Sequence, residues 1–575
     1  MRKNSRALFA AVAAGVIALS GCGGSGSGGD KSGGPAGDPD TPGTQINAQP
    51  RDKVEEGGTL TIAVGEELPP NWNTMHLNGN GVDTNNIMGA VLPRNWDFDN
   101  TGKYTPNPNY LKDFKEEGEG ADFKVTLHLN PDAKWNDGTP ITWEDYEATW
   151  KACNGENTTE DDEATTEGFV CATTDGYSSI EKVSKGADEF EVVVDFKDSY
   201  PDWSAPLSGA MKKESVETPE AFNTGWVGDM PKNEWLAGPF KFDKVDTAQK
   251  RIYLVPNENW WGEKPKLEHL NFYGLASDAT GNAFANKEVD VVQYIIDAPT
   301  YQTVSQRQDG EVRQGIGRQW RHFTVNSRKG ALADQKVRQA LAMGLDRATL
   351  AKSALSGLPV KPEDVVLGNH FFMPGQEGYV DNSKDTTPYD PEKAGKLLDE
   401  AGWKLEEGKD FRTNEAGEEL TVTYSVITGI STSENEGKIL QDQMKKIGMN
   451  VKMRQVSAAE FFPSLDKGDF EIAAFTWQGT QYPMNNINQI YGTDTGNRTG
   501  LEIPKVLELI PQIAKEMDHQ KRIDLTNEAD KAIWEAVHTI PNYQRMELTA
   551  VPKNLANYGA FGMASGHWED VGFTK

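Results

Sequence analysis

Side chains that could act as general acids, general bases or nucleophiles are common in this sequence, but they form no catalytic pattern. With 87 aspartate and glutamate residues, a carboxylate pair of the kind used in glycoside hydrolysis can be proposed almost anywhere, and no stretch singles out two of them. The sequence contains no His-Glu-x-x-His zinc motif, no Gly-x-Ser-x-Gly turn and no Walker-type glycine-rich loop. A secreted hydrolase is therefore the least favoured functional class.

Two of the three cysteines, Cys153 and Cys171, flank a polar, acidic stretch and are expected to form one disulfide. Closing a loop of about 18 residues would contribute roughly 3 kcal/mol by constraining the unfolded chain. A metal site here would need further cysteine or histidine ligands, and none lies nearby in the sequence. The acids at 160–163 lack the spacing of an EF-hand, so a solvated loop is favoured over a calcium site.

The N-terminal segment indicates an oxidising, extracytoplasmic setting. A cationic start precedes an apolar run from about Ala7 to Leu19, which is the layout of a bacterial secretion signal. The run is shorter than the roughly 20 residues of a membrane-spanning helix. The tetrapeptide at 19–22, Leu-Ser-Gly-Cys, resembles a lipobox, which implies removal of residues 1–21 and attachment of lipid to Cys22. We therefore expect a protein anchored by lipid to the cell membrane.

Composition limits the class of partner. The chain has 58 basic and 87 acidic side chains, and its formal net charge of −29 argues against nucleic acid, whose phosphates require a basic face. Its 575 residues are enough for two or three domains. After Cys22, the stretch up to residue 57 is rich in Gly, Ser and Pro, which predicts a disordered linker over 22–57.

The remaining sequence mixes strand and helix patterns, which predicts an α/β protein. Leu60, Ile62 and Val64 alternate with smaller or polar residues and indicate a first strand. Asp334 is a predicted N-cap before an apolar helix face, and an Asp-Pro pair at 390–391 predicts a second helix start. These apolar faces are expected to form the core.

The segment 123–150 carries the most specific pattern. Alternating apolar residues predict a strand over 123–129, and Thr142 is a predicted N-cap with Asp145 three residues later. Together with Trp135 and the Asp-Gly-Thr-Pro at 137–140, this run resembles the signature segment of the peptide, dipeptide and nickel class (family 5) of extracellular solute-binding proteins that serve ABC importers. Five further segments resemble that family in the same order: Ala237–Phe240, Asn257–Pro265, Asn286–Asp290, Phe323–Asn326 and Ala333–Arg347.

The resemblance covers nearly the whole mature chain and implies a two-lobed, periplasmic-binding-protein-like α/β fold around a ligand cleft, of the class with an enlarged first lobe. The chain is expected to cross between the lobes near Trp320 and near Ala550. Lobe I would then comprise residues 58–319 and 551–575, and lobe II residues 320–550. Such clefts close on their ligand by a hinge motion.

The resemblance also implies where a ligand would bind. Peptide-binding members have a tryptophan-centred segment after a strand, followed by an aspartate that pairs with the ligand's α-ammonium group. In this chain the predicted strand is 470–475, the tryptophan is Trp477, and Gly479, Thr480 and Tyr482 follow. Thr480 stands near the place of the missing aspartate. We expect these four residues to contact the ligand, with packing under the cleft floor as the alternative for Trp477 and Tyr482.

A second charged group of the dipeptide binders is also missing. The arginine expected after the predicted strand 420–426 is absent from residues 427–436. Because an unpaired ligand ion in a closed cleft is costly, either another residue supplies the countercharge or the ligand is not a zwitterionic dipeptide. Longer peptides held through their backbone and other polar solutes are the alternatives. Trp72, in an exposed-looking loop after the first strand, is a further candidate contact, with packing as the alternative.

The expected function is capture of a solute, an oligopeptide above all, by cleft closure and its delivery to an ABC permease. This function needs no cofactor, no metal and no covalent chemistry, so we do not expect an enzyme, and we expect a monomer. Because the family includes metal and haem binders, His322 and His370 are the candidate contacts if the protein carries a metal or haem instead.

Overall fold

The computed structural model describes residues 43–159, 166–485, 487–493 and 496–575. The predicted signal segment, Cys22 and the acids at 160–163 lie outside these residues. None of the helices described is both long enough and apolar enough to cross a membrane.

Strands and helices are mixed along the chain, as the sequence patterns predict. The strands are β1 (Thr59–Gly65), β2 (Trp96–Phe98), β3 (Tyr104–Pro106), β4 (Leu111–Glu117), β5 (Lys124–Leu129), β6 (Ile180–Lys185), β7 (Glu191–Phe196), β8 (Phe240–Asp246), β9 (Arg251–Pro256), β10 (His269–Leu275), β11 (Gly310–Val325), β12 (Thr421–Ile427), β13 (Asn450–Val456), β14 (Ile472–Gln478), β15 (Thr539–Pro552), β16 (Leu555–Ala556) and β17 (Gly572–Phe573). The helices are α1 (Val82–Met88), α2 (Trp143–Cys153), α3 (Lys213–Val216), α4 (Pro219–Thr224), α5 (Thr280–Ala285), α6 (Ala298–Val304), α7 (Gln335–Gly344), α8 (Arg347–Ala354), α9 (Ser383–Thr386), α10 (Pro391–Glu400), α11 (Ser431–Lys446), α12 (Ala458–Asp466), α13 (Ile487–Tyr491), α14 (Pro504–Ile513) and α15 (His519–Ala536).

The first half of the chain builds two four-stranded sheets. One has the order β1-β10-β9-β8, in which β1 and β10 are parallel and the other neighbours are antiparallel. The other, β4-β5-β7-β6, is antiparallel throughout. Helix α2 begins after Thr142, whose backbone N–H donates to Oδ2 of Asp145 at 2.9 Å. The predicted cap is therefore present, and it satisfies a backbone donor near the helix start.

The second half of the chain builds a five-stranded sheet in the order β13-β12-β14-β11-β15. The first three strands are parallel, whereas β11 runs antiparallel to both β14 and β15. Helices α7, α10 and α11 cover this sheet with buried residues such as Leu341, Leu398 and Leu440. The predicted caps of α7 and α10 are confirmed, because the carboxylates of Asp334 and Asp390 accept backbone N–H groups of the first helical turn.

The long strands β11 and β15 join the two halves. At one end of the pair, Val292 and Ala550 exchange backbone hydrogen bonds of 3.1 and 2.9 Å. At the other end, β11 pairs with β14 inside the five-stranded sheet. The crossings predicted near Trp320 and Ala550 fall within these strands, and the exact limits of the two lobes stay a prediction.

The last part of the predicted linker, residues 43–57, is attached to the folded body. The backbone N–H of Gln45 donates to the carbonyl of Ala560 at 2.9 Å, and the side chain of Val54 is buried. The prediction of disorder is therefore wrong for residues 43–57, which pack against the C-terminal part of the chain. Their polar composition hides this, because most of the attachment is made by backbone groups rather than by apolar side chains.

Cys153 and Cys171 are bonded to each other, with their Cα atoms 5.8 Å apart. The predicted disulfide is confirmed. It ties the last residue of α2 to a chain segment 18 residues further on.

Candidate functional site

A cavity of about 150 Å³ lies where the middle of β11 meets the end of β14 and the loop that follows β14. Four chain stretches line it: two residues of β11, a loop after α8, the end of β14 with the loop that follows it, and α13. The lining residues are Arg318, Trp320, His370, Phe371, Met373, Gln376, Trp477, Gln478, Gly479, Thr480, Tyr482, Pro483, Gln489, Ile490 and Tyr491.

The cavity floor is aromatic because of strand pairing. Trp320 in β11 lies directly opposite Trp477 in β14. Residues two apart in a strand share a face, so His322 follows Trp320 on the same side, with ring centroids 4.9 Å apart. The His322 ring is nearly parallel to that of Trp477, at 6.1 Å, and meets the edge of Phe475 at 4.3 Å. His322 and Phe475 pack behind the tryptophans and outside the cavity lining, whereas Trp320 and Trp477 line the cavity and offer a ligand an aromatic surface.

The strand that carries Trp477 is longer than predicted. Trp477 does not follow the strand but lies within β14, which extends to Gln478. The difference has a physical reason: β11 continues to pair with β14 as far as Gln319, so the backbone of Trp477 and Gln478 stays extended. The prediction of Trp477 as part of the cavity lining agrees with its position, and its role as a ligand contact stays a proposal.

The loop after β14 places three of the predicted residues on the cavity wall. The N–H of Gly479 donates to the carbonyl of Arg318 at 2.8 Å, and a Cβ at this position would come within 3.0 Å of that oxygen. The hydroxyl of Thr480 accepts the N–H of Tyr482 at 3.1 Å. Thr480 thus shapes the turn, and its neutral side chain supplies no charge for a ligand ammonium group.

Tyr482 connects this wall to the first half of the chain. Its hydroxyl lies 3.0 Å from Oγ of Ser204, in the loop that follows β7, and its ring meets the edge of Phe98 at 6.0 Å. Burial raises the pKa of the Tyr482 phenol, so the hydroxyl stays protonated at neutral pH. Near it, the hydroxyl of Tyr200 donates to Oδ1 of Asn485 at 2.6 Å.

Further contacts hold the same loop against the helices of the second half. Asp202 forms a buried ion pair with Arg522 of α15, with Oδ1 2.8 Å from Nη1. Asp198 forms an exposed ion pair with Lys515 at 2.7 Å. These contacts hold the loop at 198–204 against the second half of the chain, and the loop itself lies outside the described cavity lining. The cavity volume is below the roughly 300 Å³ at which ligand pockets usually begin.

Trp72 is a core residue and does not belong to the cavity lining. Its side chain is 1% exposed and belongs to the apolar core of the first half. The indole N–H donates to the carbonyl of Gly228 at 3.1 Å, and the ring meets the edge of Phe242 at 5.2 Å. The expectation of an exposed residue is wrong, and packing, the alternative, describes Trp72. The residues that bury Trp72 are distant in the sequence, so the local sequence pattern around it predicts an exposed loop.

The two candidate histidines are buried and do not converge on a metal site. Burial, with nearby positive groups, holds the pKa of His322 well below its usual value, so that ring is neutral. The ring nitrogens of His370 contact Asp530 at 2.6 Å and the carbonyl of Thr539 at 3.2 Å, so protein groups occupy both. Among the residues that the structure describes, no group of three or more potential metal ligands occurs.

Arg318 is the site residue that sequence reasoning missed. It lies on the cavity side of β11, two residues before Trp320, and its Nη1 donates to Oε1 of Gln481 at 3.2 Å. The signal in the sequence was the alternation Arg318, Trp320, His322, which places a cation on the same face as an aromatic pair. It is the lone formally charged residue in the described lining, and no carboxylate accompanies it there.

Known proteins match this chain over most of its length. The family model of bacterial extracellular solute-binding proteins, family 5 (middle part), matches residues 106–499. The oligopeptide-binding protein OppA of Mycobacterium tuberculosis (strain H37Rv) is 32% identical over 540 residues, which cover 92% of this chain and 87% of the relative.

Solved structures share the fold. A periplasmic EDTA-binding protein, EppA, has a TM-score of 0.81 at 21% identity, covering 92% of this chain and 98% of the other. The oligopeptide-binding protein AppA of Bacillus subtilis, solved with a nonapeptide, has a TM-score of 0.73 at 18% identity and covers 91% and 100%. The expected two-lobed α/β fold is confirmed by this likeness. The chain belongs to the bacterial extracellular solute-binding proteins of family 5.

Proposed function

We propose that this protein captures an oligopeptide outside the cytoplasm by closing its cleft and then delivers the peptide to the permease of an ABC importer. The observation that carries the proposal is the cavity between Tyr482 and the paired tryptophans Trp320 and Trp477, which is lined by aromatic, amide and hydroxyl groups. Such a lining suits a peptide, because rings pack against side chains while amides and hydroxyls bond to the peptide backbone. The relatives named for oligopeptide binding support the same ligand class.

The mechanism requires no covalent step. A peptide that contacts both the β11–β14 floor and the loop at 198–204 stabilises the closed form in proportion to its preference for that form. Release at the permease requires the same contacts to separate. We therefore propose a binding protein that acts as a monomer and leaves its ligand chemically unchanged.

The test is binding without turnover. Peptides added to the purified protein should raise its melting temperature, since a ligand at about 100 times its Kd stabilises the native state by ~2.7 kcal/mol. Mass spectrometry of the same mixtures should recover the peptides intact. Hydrolysis of any peptide would contradict the proposal, as would a full peptide set that leaves the melting temperature unchanged.

Replacing Trp477 with alanine should weaken peptide binding by about 30-fold or more, because truncation of a buried aromatic contact at the centre of an interface typically costs ~2 kcal/mol or more of binding free energy. Calorimetric titration measures the change. The unliganded variant should keep its far-ultraviolet circular dichroism, since Trp477 lies at the end of its strand. Tyr389→Ala, an exposed aromatic residue outside the cavity lining, is the control and should bind as the wild type does. Unchanged affinity in Trp477→Ala would assign this residue to packing alone.

We further propose that the protein is held at the membrane by lipid on Cys22. The tetrapeptide at 19–22 supports this, as does the polar stretch that follows it. In cells, Cys22→Ser should move the protein from the membrane fraction to the soluble fraction or the medium, because the anchoring acyl chains are lost. An equal membrane fraction in both forms would contradict a lipid anchor.

A further inference from the structure

We propose that Arg318 binds a carboxylate of the ligand and that the described lining of the cavity offers no acidic partner for the ligand's ammonium group. The protein would then select peptides by a carboxylate and accept a free or blocked N-terminus alike. This inference rests on the proposed function, because it specifies which peptides the same cavity takes.

The guanidinium of Arg318 has a neutral hydrogen-bond partner. Its Nη1 donates to Oε1 of Gln481 at 3.2 Å, and Gln481 is neutral. No carboxylate of a described residue forms an ion pair with this guanidinium. The guanidinium carries five N–H donors in a planar fork, so most of its donors are available to another acceptor.

Arg321, three residues further along β11, provides the contrast. An odd separation places it on the opposite face of the strand, where its Nε donates to Oε1 of Glu436 at 2.9 Å. Both members of that pair are buried. Arg321 thus has its carboxylate within the protein, whereas Arg318 lines the cavity without one.

Arg318 has no acidic neighbour in the described lining of the cavity. The lining contains amides, hydroxyls, rings and His370, but no aspartate or glutamate among the described residues. Behind His370, the carboxylate of Asp530 accepts both the backbone N–H and the ring of that histidine, and it is fully buried. Among the described lining residues, a ligand ammonium group entering the cavity would therefore meet Arg318 and no acid.

Glu547 interacts electrostatically with Arg318. It lies outside this cavity, in the lining of a neighbouring cavity that Arg318 also borders. Its Oε2 accepts the N–H of Gly562 at 2.8 Å. Burial raises the pKa of Glu547, although Arg318 opposes that rise. Glu547 thus moderates the positive field at Arg318 without pairing with it, and the guanidinium stays open to a ligand anion.

A carboxylate in a closed cleft loses its hydration and is tolerated only with a paired cation. Arginine suits this task because its fork matches the two carboxylate oxygens. The dipeptide binders' arginine is missing from 427–436, and Arg318 provides the equivalent charge from a different strand. The missing aspartate has no such replacement in the described lining. The protein would therefore recognise the ligand's carboxylate and not its ammonium group.

The experiment uses pools of pentapeptides built from Ala, Gly, Val, Leu and Phe, made in four forms: free, N-acetylated, C-amidated, and C-amidated with one Glu. Binding to the mature protein is measured by titration calorimetry. The free and acetylated pools should bind equally within about threefold, whereas amidation should weaken binding by roughly 30-fold or more, since breaking a buried charge pair from one side is costly. Recovery by the Glu-containing amide would show that a side-chain carboxylate also serves; no recovery would assign recognition to the C-terminus.

Variants connect the effect to Arg318. Arg318→Gln should bind the free pool as weakly as the wild type binds the amidated pool, and amidation should cause no further loss, because the two changes remove one interaction. Arg454→Gln removes an equal charge from β13, outside the cavity lining, and should leave both affinities unchanged. Circular dichroism and melting temperature confirm that each variant is folded.

Two results would overturn the inference while the proposed function stands: equal binding of the free and amidated pools, or loss of binding on N-acetylation alone. Absence of binding by every form to the wild-type protein would instead overturn the proposed function, and the inference with it. Loss of the free pool by Arg318→Gln together with an undiminished effect of amidation would show that the carboxylate binds elsewhere.

Discussion

Replacing Arg321 with alanine should lower the free energy of unfolding by about 3–5 kcal/mol, because it leaves a buried carboxylate without its cation. Glu436 of α11 is 3% exposed, and Arg321 donates to both of its oxygens. Burial opposes the charge on Arg321, but the attraction of Glu436 outweighs it and raises the arginine pKa. The hydroxyls of Tyr424 and Tyr543, 3.3 and 3.4 Å from the carboxylate, cannot replace the lost charge.

Urea unfolding followed by circular dichroism measures this loss, and two variants control it. Arg318→Ala removes the same charge from the same strand, but at a position without an ion pair, and should cost less than about 1 kcal/mol. Arg321→Met combined with Glu436→Leu should be more stable than Arg321→Ala, because no buried charge remains unpaired. A loss below about 1 kcal/mol in Arg321→Ala would contradict the assigned role of the pair.

Replacing Asp202 with alanine should shift the unliganded protein from the closed form toward an open one. The Asp202–Arg522 pair is buried and joins the loop after β7 to α15. A buried pair broken from one side costs about 3–5 kcal/mol where the charge stays buried, and opening the cleft avoids much of that cost by hydrating Arg522. We therefore expect the ratio of open to closed molecules to rise on the order of 100-fold, which corresponds to ~2.7 kcal/mol. Small-angle X-ray scattering should show a larger radius of gyration.

The neighbouring pair gives a matched control for this shift. Lys515→Ala removes the ion pair with Asp198 on the same loop, but both side chains are about half exposed. Exposed pairs contribute only about 0–1 kcal/mol, so this variant should scatter as the wild type does. A scattering curve of Asp202→Ala that matches the wild type in the absence of ligand would show that the buried pair does not hold the cleft closed.

The features that depend on near neighbours in the chain were predictable. The caps at Thr142, Asp334 and Asp390 are present because an N-cap bonds to backbone groups within two or three residues. The disulfide follows from the same logic, since its two cysteines flank one short loop. The order of family segments also survives in the sequence, and the family assignment with it.

Features made by residues far apart in sequence were not predictable. Trp72 is buried by Phe242 and by other residues that follow it by about 150 positions or more. Residues 43–57 are ordered by the C-terminal segment, through Ala560 among others. Trp477 belongs to β14 because β11 pairs with it, and that partner lies about 150 residues earlier in the chain.

The arginine that lines the cavity shows most clearly which features the sequence predicts and which depend on the tertiary structure. The sequence alone predicts the family and the α/β class, and it singles out Trp477 as a cleft residue, because these depend on local patterns and their order. It does not distinguish Arg318 from Arg321, which lie three residues apart in one strand. The tertiary structure separates them, because α11 brings Glu436 to one face of β11 and leaves Arg318 on the other face, at the cavity.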